Sequence, residues 1–165
     1  MARRPFLQWP DKRLRTAAAP VDTVDDEVRA IWNDMLDSMY AMPGVGLAAP
    51  QIGVMRALAV VDCSKGMDQS VRMANPRILH ASVQMREHEE ASPNLPGISA
   101  TVTRPRAVTV AYLDEAGEET ERDFVGLWAT SVQHQIDHLA GRLFVHRLKP
   151  VKRQMLLRKF EKHRR

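Results

Sequence analysis

Two histidines four residues apart, His134 and His138, constrain this chain more than any other feature. On a helix, positions i and i+4 lie on one face, so both imidazoles can reach a single metal ion. The stretch Gln133-His134-Gln135-Ile136-Asp137-His138 therefore predicts a helix, running over about 127–140 and stopped by Gly141. Metal-hydrolase helices of this kind carry Glu directly after the first His, where it moves protons to and from metal-bound water. Here that position is Gln135. An amide has no basic lone pair near neutral pH, so it can hydrogen-bond but cannot take the proton.

The remaining pattern surrounds that helix with strands. Pro5, Pro10 and Pro20 keep residues 1–22 extended or irregular. Thr23 reads as an N-cap, with Asp25, Asp26 and Glu27 in a first turn where the helix dipole favours acids. Val28, Ile31, Trp32, Met35 and Met39 then follow at helical spacing, which predicts an amphipathic helix over 24–41. Strands are expected at 56–63, 71–73 and 83–90. A hairpin is expected from 107–113 and 119–125, turned by Asp114-Glu115-Ala116-Gly117. A last helix should follow Pro150, with Val151, Met155, Leu156 and Phe160 on one side. Strands and helices do not alternate regularly, so the expected class is α+β with mainly antiparallel sheet around the HxxxH helix. One domain over 1–147 is expected, with 148–165 as its basic C-terminal helix.

Charge is distributed unevenly. From Arg147 to Arg165 there are nine Lys and Arg against Glu161 alone, a net of +8; the whole chain carries +4, so the body carries −4. A basic tail on an acidic body suits a polyanionic partner, or equally a solvated helix that aids solubility. No apolar run is long enough to span a membrane, and the basic N-terminus lacks an apolar signal region. With Cys63 as the only cysteine, the expectation is a cytoplasmic protein without disulfides or membrane contact.

Three segments together resemble the peptide deformylases, metal hydrolases that remove the formyl group from the N-terminus of new bacterial proteins. They are Gly44-Val-Gly-Leu-Ala-Ala-Pro-Gln-Ile-Gly53, Glu89-Glu-Ala-Ser-Pro-Asn-Leu-Pro96 and Gln133–His138. The resemblance extends through Asp11–Arg15, Asn75-Pro76, Arg104 and Gly141–Phe144. It implies that Gly44, Gly46, Leu47 and Pro93 line the substrate cleft, and that Gln51 polarises the formyl oxygen. It also implies that His134 and His138 bind the metal, that Glu90 pairs with Arg104, and that Lys152, Arg153, Arg158, Lys159, Lys162 and Arg164 dock on ribosomal RNA. The cleft would receive the N-terminal peptide of nascent chains.

The second segment departs from the family pattern Glu-Gly-Cys-Leu-Ser, reading Glu90-Ala91-Ser92-Pro93-Asn94. Ser92 replaces the thiolate ligand with a neutral hydroxyl, a poor donor for a borderline-soft ion. Pro93 has no N–H where the family donates one to the developing oxyanion. Loss of a general base costs ~10²–10⁴ in rate, and loss of an oxyanion donor ~10²–10³. The expectation is therefore a peptide-deformylase-like pseudoenzyme with lost or strongly reduced activity, holding no metal or a weakly bound iron, zinc or nickel. His88 and Cys63 are weighed as replacement ligands; Cys63 reads more naturally as a small core residue, and His80, His146 and His163 as surface residues. Two alternatives stand beside this reading: an active metal-dependent deformylase with an altered metal site, and a structural or regulatory partner of a genuine deformylase.

Overall fold

Hydrophobic spacing builds the first helix as expected, with one correction at its start. In the computed structural model, which describes residues 2–164, α1 spans Asp26–Ala41 and its N-cap is Asp25, whose carboxylate accepts from Val28 N at 2.9 Å. Thr23 lies outside the cap. Val28, Trp32, Met35 and Met39 are fully buried along one stripe.

Five strands form one antiparallel sheet in the order β1 (Gly46–Ala48), β2 (Leu58–Val61), β3 (Val71–Ala81), β6 (Ala107–Leu113) and β7 (Glu119–Val125). Strands β4 (Met85–Ala91) and β5 (Ser99–Pro105) form a separate antiparallel ribbon. The apolar run in β2 has a direct cause, because both faces of that strand are covered. Leu58 and Val60 pack with α1, whereas Ala59 and Val61 pack against α2 (Leu127–Leu139). The sheet is thus sandwiched between the two helices. A third cluster closes the ribbon: Leu95, Ala100 and Val102 meet Trp9, Leu14, Phe144 and, from α3 (Pro150–Arg164), Leu156 and Phe160.

The expected hairpin and its bounds are present as β6 and β7. The strand expected at 71–73 continues to Ala81, passing Pro76 through a register shift between Ala74 and Arg77. Asn75 makes that passage workable. It takes a left-handed backbone (φ 51°) and its side chain exchanges two bonds with the Val21 backbone, at 2.8 and 2.9 Å. The strand expected at 83–90 is β4, but its partner β5 was not anticipated. At the end of α2, Gly141 is left-handed (φ 79°), and a Cβ there would lie 2.8 Å from the Arg15 carbonyl carbon, so glycine is required both for the turn and for the close approach.

On α3 the expected apolar side is split. Leu156 and Phe160 are buried, but Val151 and Met155 are 80% and 57% exposed. Lys152, Arg158, Lys159 and Lys162 are exposed and Arg153 is half-buried; the terminal Arg165 lies outside the described residues. Among the described residues no helix is long and apolar enough to cross a membrane.

Candidate active site

Helix α2 carries an unusual load of buried polar side chains: Thr130, Ser131, Gln133, His134, Gln135, Asp137 and His138. Buried polar groups persist only when hydrogen-bonded or when they serve a ligand. Gln133 is satisfied structurally, donating to the Pro105 and Ala129 carbonyls at 2.9 and 3.0 Å. Asp137 is gripped by two arginines, Arg104 at 2.9 Å and Arg147 at 2.9 and 2.6 Å. Thr130, Ser131, His134 and Gln135 border a cleft of about 370 Å³ whose walls are residues 42–46 and 88–93, with Gln51 between them.

His134 and His138 meet on this face, with their Nε2 atoms 3.1 Å apart. The Glu90 carboxylate accepts from His134 Nδ1 at 2.7 Å, which leaves His134 Nε2 to face His138. Burial opposes ionisation of Glu90, but its hydrogen bonds to His134 and Arg104 and their charges outweigh this and hold the carboxyl at about 2. Complete burial, reinforced by His134, pushes His138 well below the ordinary imidazole value and keeps it neutral. Arg104, only 2% exposed, holds Glu90 through two bonds of 2.6 and 2.9 Å. The expected Glu90–Arg104 pair is therefore present, and Glu90 reaches further than expected, fixing the ring of His134.

The two imidazoles fit a metal ion by an observation independent of any relative. His138 Nδ1 is buried without a partner. Either tautomer leaves Nδ1 unpaired, as a stranded acceptor or a stranded donor; with the proton on Nδ1, the His138 Nε2 lone pair faces His134 Nε2 at 3.1 Å, open to a shared cation. The third donor is less well provided. Among the described residues, no three His, Cys, Asp or Glu side chains cluster as ligands. Ser92 Oγ donates to Asn94 Oδ1 at 3.0 Å and receives only long bonds, from Gln51 Nε2 at 3.3 Å and Asn94 N at 3.4 Å. Ser92, on the wall of the same cleft as His134, thus keeps a loosely engaged lone pair.

Other expected residues fall into place unevenly. Gly44, Gly46 and Pro93 line the cleft, but Leu47 does not: it is fully buried in the α1 core, because its strand turns that side chain away from the cleft. Gly46 has a reason beyond ligand approach, since a Cβ there would collide with the Gln135 amide and the Ser131 hydroxyl. Gln135 lines the cleft, and its buried Oε1 has no partner. His88 lines the cleft on the β4 face shared with Arg86 and Glu90, the three alternating along the strand. Cys63 lies beyond the end of β2, half-buried against the α2 core, and burial pushes its thiol up to about 11. His146 is half-buried rather than on the surface, accepting from Leu143 N at 2.9 Å. Asn94, Asp137 and Arg147 were not assigned roles from sequence; for Asp137 the signal was its position one turn from His134 on the same helix.

A family model described as polypeptide deformylase matches residues 3–154. This chain belongs to the polypeptide deformylase family. It is 46% identical to a peptide deformylase of Methylocella silvestris, over 98% of this chain and 85% of that protein. It is 45% identical to one from Teredinibacter turnerae, over 98% and 96%. Crystal structures of peptide deformylases from Legionella pneumophila (TM-score 0.91, 44% identity, 99% and 96% covered) and Ehrlichia chaffeensis with actinonin (TM-score 0.94, 32% identity, 100% and 99% covered) share the fold. The expectation of a chain that has lost deformylase activity is corrected by these relatives, which carry the deformylase name along essentially the whole chain. They favour the alternative of an active metal-dependent enzyme. The family is a metal-dependent one, in keeping with the histidine pair.

Proposed function

We propose that this protein is an active, metal-dependent peptide deformylase with an altered metal site, which removes the formyl group from N-terminal formyl-methionine of nascent chains in the cytoplasm. The observation that carries this reading is the approach of the buried His138 Nε2 to the Nε2 of His134, a residue that lines one cleft together with Gln51. His134, His138 and the Ser92 hydroxyl would hold a divalent ion such as iron, zinc or nickel. When bound, such an ion supplies a water acidic enough to attack at neutral pH and polarises the carbonyl.

The chain's own groups do the rest. Gln51 Nε2 has one hydrogen committed to Asn94 and the other on a long 3.3 Å bond to Ser92. The second is the one that can turn to the formyl oxygen, and Pro93 offers no backbone N–H to share that task. Gln135 orients the attacking water through its amide but cannot accept its proton. His88 can accept it. Of the titratable side chains lining the cleft, Glu90 is held by Arg104 and His134, His134 by Glu90 and His138, and Glu89 by Ser99, whereas His88 has no partner among the described residues. Water adds to the formyl carbon, the C–N bond breaks, and the proton passes to the leaving amine, giving formate and a free N-terminus.

The basic face of α3 supports docking on ribosomal RNA by phosphate neutralisation without sequence readout. Hydrolysis of formyl-Met-Ala-Ser, followed by release of formate with Fe(II), Zn(II) or Ni(II) supplied, tests the central claim. Turnover that a chelator abolishes is expected; no turnover with any of the three metals would refute it.

A further inference from the structure

Asn94 has no exposed surface, yet it is polar at every branch. Its Oδ1 accepts from Gln51 Nε2 at 2.8 Å and from Ser92 Oγ at 3.0 Å. Its Nδ2 donates to the Leu7 carbonyl at 2.6 Å and the Gln51 carbonyl at 3.2 Å. An asparagine amide offers two donor hydrogens and two acceptor lone pairs, so all four are used. Reversing this amide would set its NH₂ against the Gln51 NH₂ and its oxygen against two carbonyl oxygens. Only one orientation is compatible with its surroundings.

That choice dictates the next one. With an acceptor facing it, Gln51 must present its NH₂ toward Asn94 and the cleft, and its Oε1 toward Ala48 N, which donates at 2.9 Å. We infer that Asn94 is a positioning residue for deformylation: with the Ala48 N–H holding Oε1 on the other side, its acceptor fixes the Gln51 amide so that a donor rather than an acceptor faces the substrate carbonyl. This rests on the functional reading above. The same side chain ties that orientation to the N-terminal segment, where Leu7 N donates to Gln51 O at 2.9 Å and Trp9 N to Asn94 O at 3.0 Å. The role matters more in this chain because Pro93 supplies no N–H, leaving the Gln51 side chain as the donor on that wall of the cleft.

Two variants separate positioning from scaffolding. Asn94→Leu keeps the branched shape and removes all four bonds. Asn94→Asp keeps the acceptor toward Gln51 and Ser92 but places oxygen opposite two carbonyls. On a formyl-Met peptide with metal supplied, Asn94→Leu should lower kcat by ~10²-fold, the scale of a small misplacement of a reacting partner. Asn94→Asp should lose melting temperature but keep kcat within a few-fold of the parent. In a Gln51→Ala background, Asn94→Leu should change kcat little, because it acts through a side chain no longer there. A second readout does not depend on turnover: the Gln51 side-chain NH₂ resonances, assigned by their loss in Gln51→Ala, should exchange slowly with solvent in the parent and in Asn94→Asp, and rapidly in Asn94→Leu. Equal kcat losses in Leu and Asp variants, an undiminished Asn94→Leu effect without Gln51, or Gln51 resonances indifferent to Asn94 would each overturn the inference. An inert parent with slowly exchanging, Asn94-dependent Gln51 resonances would refute the functional reading and leave the orienting contact standing.

Discussion

Replacing Arg104 with Met should destabilise the protein sharply, and the size of the loss can be worked from three carboxylate contacts. Arg104 is 2% exposed and bonds Glu90 at 2.6 and 2.9 Å and Asp137 at 2.9 Å. In Arg104→Met, Asp137 keeps Arg147, but Glu90, 3% exposed, keeps only His134. A carboxyl held at about 2 rather than 4.5 contributes ~3 kcal/mol at neutral pH. Removing one partner of a buried ion pair costs ~3–5 kcal/mol. His134 supplies part of the first figure and stays in the variant, so the expected loss rests on the ion-pair cost and is about 3 kcal/mol at pH 7, read by urea denaturation. The sign with pH follows from the depressed folded-state value. The Glu90 contribution is complete above 4.5 and is lost as pH falls toward 2, so the gap between parent and variant should narrow over that window. Combining Arg104→Met with Glu90→Gln should cost less than the sum of the single losses by at least ~2 kcal/mol, since the second change removes the charge that the first stranded. A loss under ~1 kcal/mol at pH 7, a gap that does not narrow in acid, or additive losses would show that the network does not hold Glu90 in the way these distances imply.

Further outcomes are expected at the cleft and on α3. Gly46→Ala should cost ~1–3 kcal/mol in chemical denaturation, because the new methyl group displaces the Gln135 amide and the Ser131 hydroxyl, which donates to Val45 O at 3.1 Å; unchanged stability would mean that both side chains relax freely. His88→Gln should lower kcat by ~10²–10⁴, but have little effect once Gln135→Glu has restored a carboxylate base. If His88→Gln is as active as the parent at every pH, another group takes the proton. Ser92→Cys should raise the metal retained after dialysis, read by elemental analysis, since a thiolate replaces a neutral hydroxyl; equal metal content would show that Ser92 is not a ligand. Reversing Lys152, Lys159 and Lys162 to Glu, all on exposed positions, should weaken ribosome binding and flatten its salt dependence while leaving peptide hydrolysis intact.

What could be read without coordinates was local. The spacing of His134 and His138, the stripe of α1, the turn at Asp114–Gly117 and the stop at Gly141 each depend on a few neighbouring residues, and each appears where the pattern puts it. The family was legible for the same reason, in three short segments whose residue types survive side by side. Tertiary structure decided the rest, because it depends on partners distant in the chain. Glu90 serves both Arg104 and His134, 14 and 44 residues away, and no periodicity announces that. Leu47 sits inside a cleft-forming segment but turns into the core. Val151 and Met155 share the helical spacing of buried residues and face outward, since the position of α3 against the ribbon selects Leu156 and Phe160 instead. Asn94 is the clearest case: in sequence it is a polar residue between two prolines. In the fold it is enclosed by Leu7, Gln51 and Ser92, and a buried amide with four partners admits only one orientation.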